Sequence, residues 1–141
     1  MAWDHALGDA REGDWGSPML TAKFAFFLTD TTVPDCGAML IVPKSHKSDQ
    51  PPTKTDPDSD RPDDAIEVQV KPGTAMLFER RLWHSAAHNY SDVTRKVLMF
   101  GFSYRWLRGL DYNVMPDWLL NECDPIQRQL LGDCADIKGY W

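Results

Sequence analysis

Two residues in this chain are of the right type and spacing to do chemistry together. The segment Arg81-Leu82-Trp83-His84-Ser85-Ala86-Ala87-His88-Asn89-Tyr90-Ser91 leads through Thr94-Arg95-Lys96 into Val97-Leu98-Met99-Phe100-Gly101-Phe102. A neutral imidazole at His84 can ligate a metal ion, and the planar guanidinium of Arg95 can hold a carboxylate in a fork of two hydrogen bonds. On one strand-like frame they suggest iron beside a dicarboxylate. Each has a plainer reading when taken alone: His84 as a half-buried ring beside Trp83, and Arg95 as a surface ion-pair partner. His88 falls in an Asn-Tyr-Ser-Asp loop and reads as a solvated or supporting residue.

Strands are needed to hold such a pair. Residues 20–30 are rich in aromatics and bounded by Pro18 and a turn at Thr31 to Pro34, which predicts a strand. Residues 38–42 form a short apolar run between Gly37 and Pro43, too short for a helix. Ile66, Val68 and Val70 alternate with Glu67 and Gln69, and Lys71-Pro72-Gly73 turns into residues 74–78, which predicts a hairpin. Residues 97–104 supply a further strand, and an antiparallel pairing across the turn at 89–92 would aim His84 and Arg95 into one lumen. Residues 47–64 lack periodicity and carry Pro51, Pro52, Pro57 and Pro62, the composition of a mobile surface loop.

Five strands with no helical pattern between them favour a mainly β fold, a sandwich or jelly roll, over a βαβ fold. Helix is expected only late, where Asp124 precedes Pro125, Ile126 and Leu130 share a face, and Gly132 provides a stop. The chain is 141 residues long and 43% hydrophobic, enough for one packed domain over 1–141, with 113–141 as a C-terminal extension.

Composition narrows the function classes. A net charge of −6 argues against a general nucleic-acid surface, which needs clustered Lys and Arg. Cys36, Cys123 and Cys134 are odd in number and contain no CxxC pair, so reduced thiols in a cytoplasmic protein are expected. No stretch approaches the roughly 20 apolar residues of a membrane span, and the N-terminus shows no secretory pattern.

The stretch from Gly73-Thr74-Ala75-Met76-Leu77-Phe78 to His84 and Arg95 resembles the distal metal-histidine and 2-oxoglutarate-arginine segment of the phytanoyl-CoA dioxygenase family. Val42-Pro43-Lys44-Ser45-His46-Lys47 resembles the family's Pro-Gly-Ser-His segment, with Lys44 where glycine is common and a structural role expected. The resemblance covers about residues 3–112. It implies a double-stranded β-helix, or cupin-like jelly roll, incomplete at its N-terminus.

It also implies Fe(II) held by Asp4, His84 and a third ligand, with His5 as the neighbouring candidate. 2-Oxoglutarate would chelate the iron, place its far carboxylate on Arg95 and take a hydrogen bond from Ser85. Such an enzyme uses molecular oxygen to hydroxylate a small organic substrate while 2-oxoglutarate becomes succinate and CO2. The first half of the metal motif departs from the family pattern. Ala2-Trp3-Asp4 has Ala where His belongs, and the alternative His5-Ala6-Leu7 has Leu where Asp belongs; the first register is preferred. The resemblance is to the C-terminal part of a member, so a truncated or split enzyme is expected. An exposed apolar face and sheet edge would then pair with a second copy or with a complementing N-terminal chain. The rival expectation is a non-catalytic jelly-roll remnant acting as a binding or assembly module. A cupin-like sugar-binding or isomerase domain would share the barrel without needing the His84 and Arg95 spacing.

Overall fold

The computed structural model describes residues 19–48, 50–59, 61–104, 106–107 and 114–133. Within them lie strands β1 (Thr21–Phe27), β2 (Met39–Ile41), β3 (Ile66–Val68), β4 (Ala75–Glu79), β5 (His84–Ala86) and β6 (Val97–Ser103). Helices α1 (Asp117–Leu120) and α2 (Pro125–Leu130) follow. The strands form two three-stranded sheets, ordered β4-β1-β6 and β3-β2-β5. The architecture is of the expected mainly β, jelly-roll class. Contacts group the chain into two compact units, Met1–Gly101 and Phe102–Trp141, so the boundary falls inside β6.

Side-chain alternation decides what each sheet buries. On β1, Ala25 and Phe27 are fully buried, whereas the intervening Phe26 is 39% exposed. Antiparallel pairing sets Lys23 opposite Phe78 and Ala25 opposite Met76, so these four share the inner face. On the other sheet β2 pairs with both neighbours, placing Met39 beside Val68 and Ala86, and Ile41 beside Ile66 and His84. The two inner faces meet in one cluster of Ala25, Phe27, Met39, Phe78 and Leu82, with Ile41, Val68, Met76 and Val97 packed against it. At about 1.5 to 3 kcal/mol per buried large apolar side chain, this cluster is the main stabilising element of the first unit.

The outer face of the β4-β1-β6 sheet is apolar as well. Phe24 and Phe26 stack at 6.2 Å between ring centroids, and Phe100 meets Phe26 edge-on at 5.8 Å. Leu77 and Phe100 are 60% and 50% exposed there. The other sheet's outer face carries Leu40, which is fully buried. Glu67 pairs with Leu40 in register and binds Arg61 at 2.5 Å, which ties the 48–65 segment to that face. This segment contains no strand or helix among its described residues, as expected, but it is internally bonded. Asp63 accepts from the Thr55 backbone and hydroxyl, and Lys54 donates to the Ser59 carbonyl.

The expected hairpin is not formed. β3 and β4 do not form a hairpin, because they lie in different sheets. The turn between them is captured by the end of β1: Gly73 N–H donates to Phe27 O at 2.8 Å, and Phe27 N–H donates to Thr74 O at 3.0 Å. Buried Thr31 accepts the Val70 N–H at 2.9 Å and keeps Val70 from following β4. Gly73 has φ +86°, a conformation that glycine adopts without a Cβ penalty. The expected C-terminal helix forms as α2, with Asp124 and Gln127 bonded reciprocally as a capping box and Gly132 at φ +84° beyond its end. The short α1 carries no such signal and was not anticipated.

Candidate metal and carboxylate site

β5 exists because β2 and the segment after it hold it. His84 lies opposite Ile41, and Ala87 N–H donates to Ala38 O at 2.8 Å. Just before the strand, Val42 N–H donates to Trp83 O, and the Trp83 N–H donates to Ser45 Oγ at 2.9 Å. Ser45 is buried in a short 3-10 turn, Ser45–Lys47, whose preceding residue Lys44 sits at φ +66°. The Pro-Lys-Ser-His segment is thus a bracket that fixes the backbone directly before His84. Ser45 makes the bond, and His46 is a half-buried neighbour in the turn. Further along, Gly37 at φ +72° passes so close to Asn89 that an added Cβ would lie 2.9 Å from its Cβ, which only glycine tolerates.

His84 is 6% exposed and points between the two sheets. Its ring meets Phe78 of β4 edge-on, with centroids 5.0 Å apart. Nδ1 lies 2.6 Å from Leu82 O. A carbonyl can only accept, so Nδ1 carries the proton and Nε2 presents a lone pair. That lone pair faces a cation: Lys23 Nζ, on the inner face of β1, stands 3.3 Å away. An ammonium can only donate, which independently requires an unprotonated Nε2. A ring with Nδ1–H bonded to a backbone carbonyl and Nε2 left unprotonated is the arrangement a histidine metal ligand needs. The donor chemistry at His84 therefore fits a divalent metal.

Arg95 lies two residues before Val97, whose side chain packs against the core cluster. Lys96 between them is held to the end of β1, its N–H donating to Thr29 Oγ1 at 2.9 Å and its carbonyl accepting from Leu28 N–H at 3.0 Å. Arg95 is half-buried and lines an open cleft of about 360 Å³ with Ala87, Asn89, Ser91, Asp92, Val93 and Thr94. The expected pairing of the His84 and Arg95 strands is corrected here. β5 and β6 belong to different sheets, so the two residues are not carried by neighbouring strands.

Strand alternation carries Ser85 to the face opposite His84, in register with Leu40. Asp4 and His5, the expected carboxylate and neighbouring histidine, lie outside the described residues. Among the described residues no group of three His, Cys, Asp or Glu side chains is placed to hold a metal. Cys36 and Cys123 are free thiols, and no described helix is long and apolar enough to cross a membrane. Lys23 escaped sequence reasoning: it is one lysine in an aromatic strand, and only its parity with Ala25 and Phe27 marked it as inward-facing.

Comparison with known proteins bears on this geometry. The phytanoyl-CoA dioxygenase (PhyH) family pattern matches residues 4–97, a span that includes both His84 and Arg95. Dioxygenase andF of Emericella variicolor is 27% identical over 82% of this chain and 39% of its own length. Dioxygenase cdmA of Talaromyces verruculosus is 37% identical over 60% of this chain and 27% of its own. The uncharacterized protein Rv1501 of Mycobacterium tuberculosis is 31% identical over 75% and 38%. The chain thus spans about two-fifths or less of the length of the curated relatives it matches. Among solved structures, HygX from Streptomyces hygroscopicus, with nickel, 2-oxoglutarate and hygromycin B bound, superposes over 60% of this chain and 36% of its own. Its TM-score is 0.50 at 21% identity, a likeness of fold. With two-thirds of its length matching one family, and the histidine and arginine segments inside that match, this chain belongs to the phytanoyl-CoA dioxygenase family.

Proposed function

We propose that this chain forms the distal part of an Fe(II)- and 2-oxoglutarate-dependent oxygenase site that hydroxylates a small organic substrate in the cytoplasm. The observation that carries this reading is the His84 ring, buried between two sheets with its Nδ1–H on Leu82 O, which leaves Nε2 as the unprotonated nitrogen. Family membership and the dioxygenase relatives support it. Bound at this site, Fe(II) and 2-oxoglutarate would supply the oxidising chemistry, with molecular oxygen as the co-reactant.

The protein's own residues supply position and surroundings. His84 holds the metal through Nε2, with Asp4 as the carboxylate ligand and His5 as the candidate third. Arg95 offers its guanidinium fork to the far carboxylate of the cosubstrate. Phe78, against the His84 ring, and Ile41, beside it in register, line that part of the site with apolar surface and keep water from it.

Anaerobic titration with Fe(II) in the presence of 2-oxoglutarate tests the reading. The weak visible charge-transfer band of the chelate should appear, vanish in His84→Ala and weaken in Arg95→Ala. A folded protein that gives no band would reject the oxygenase reading and leave the non-catalytic binding module in its place.

A further inference from the structure

Strand β4 runs out into two adjacent arginines in opposite situations. Glu79 and Arg81, two residues apart, share one face and bind each other, Arg81 Nε and Nη2 both donating to the Glu79 carboxylate. Phe78 and Arg80 share the other face, the inner one, where Phe78 meets the His84 ring. Arg80 extends the β1–β4 ladder by one rung beyond the Ala22 and Glu79 pair, its backbone N–H donating to Thr21 O at 3.3 Å. Its guanidinium has nothing equivalent to the Glu79 carboxylate: the half-buried side chain has a buried Nε with no hydrogen-bond partner among the described residues. A buried charged donor without an acceptor is costly, and an apolar side chain of similar volume would cost less. An oxyanion is the chemistry that satisfies it, because Nε–H and the neighbouring Nη–H present two parallel donors along one edge.

The place of this donor edge separates it from the cosubstrate arginine. Same-face neighbours on a strand are about 7 Å apart, so Arg80 stands one step beyond the Phe78 that packs on His84, toward the start of β1. Lys96, next to Arg95, joins β1 at its other end, where Leu28 N–H donates to Lys96 O. Thr21 and Leu28 are seven residues apart, about 23 Å of strand. The two arginines are anchored at opposite ends of the β1 wall, and a cosubstrate carboxylate held by Arg95 leaves Arg80 for a different anion. We propose that Arg80 is an anion-binding residue at the His84 end of the site, and that the substrate carries a carboxylate or phosphate group that takes two hydrogen bonds from its edge. The assignment of that anion to a substrate rests on the oxygenase reading; the anion site itself rests on Arg80 alone.

The test is calorimetric titration of the full chain with phenylacetate and with phenyl phosphate, for the unsubstituted protein, Arg80→Met, Arg80→Lys and Arg95→Ala. Circular dichroism confirms that each variant is folded, and two substitutions at position 80 guard against the failure of one. At least one probe should bind the unsubstituted protein and Arg95→Ala alike, and bind Arg80→Met about tenfold or more weakly. Arg80→Lys, which keeps the charge and loses the two-point edge, should fall between them. The probe that binds more tightly tells a carboxylate site from a phosphate site. Without a probe, Arg80→Met should melt no lower than the unsubstituted protein, because it removes an unpaired buried donor. No binding of either probe, equal binding to folded Arg80→Met, or a loss confined to Arg95→Ala would overturn the inference. Arg80-dependent binding in a protein that gives no Fe(II) and 2-oxoglutarate band would leave the anion site standing and reject the oxygenase reading alone.

Discussion

Replacing Ser45 by Ala tests whether the turn before β5 sets the candidate ligand in place. The Ser45 hydroxyl is buried and accepts the Trp83 N–H at 2.9 Å, one residue before His84. Alanine removes the acceptor and nothing else of volume, so the Trp83 amide loses its partner at a half-buried position. The net loss is the hydrogen bond plus part of the amide's desolvation penalty, about 1.5 kcal/mol. For a chain of this size that lowers the melting temperature by about 5 °C. Because the same bond fixes the backbone entering His84, Ni(II) affinity should fall as well, by about three- to tenfold, toward the lower end of what losing a supporting contact to a metal ligand costs. Thermal denaturation followed by circular dichroism and Ni(II) titration of the folded variant read the two effects separately. A melting temperature within about 1 °C of the unsubstituted protein would refute the energetic argument. The expected fall in melting temperature with unchanged Ni(II) affinity would refute the positioning argument alone.

Two further outcomes follow from the geometry. Lys44→Gly should stabilise the protein by about 0.5 to 1 kcal/mol in chemical denaturation, since φ +66° strains a lysine and not a glycine, less the extra backbone entropy glycine loses on folding. Stability should also fall on acidification. Thr55 backbone and hydroxyl bonds hold the Asp63 carboxyl below its usual 3.8, and the Arg61 guanidinium holds Glu67 below its usual 4.5. A lowered native pKa means that the unfolded chain binds more protons in that interval, so the contribution is complete above the ordinary values and is lost as pH falls through the native ones. Melting temperature against pH should show this acid limb, and Asp63→Asn with Glu67→Gln should flatten it.

Much of this protein was legible in its sequence because the signals were local. The aromatic run before Asp30, the apolar residues after Gly37 and the Asp124-Pro125 start each specify an element through neighbours a few residues away, and each element formed there. The His84 and Arg95 spacing pointed to the family, and Lys44, where the family commonly has glycine, sits at φ +66°. Strand partnership was not legible, because alternation fixes which residues share a face and leaves the partner strand open. Hence Ile66 to Phe78 read as a hairpin, although Thr31 and Phe27 draw its two halves into different sheets. For the same reason His84 and Arg95 read as lying on paired strands, although β5 and β6 belong to different sheets. The imidazole's proton position and its lysine partner arise from a carbonyl two residues back and a strand 61 residues away. Sequence determined which groups the site possesses; only packing of the two sheets decided which atoms face one another, because contacts between faces depend on register and pairing that no local pattern encodes.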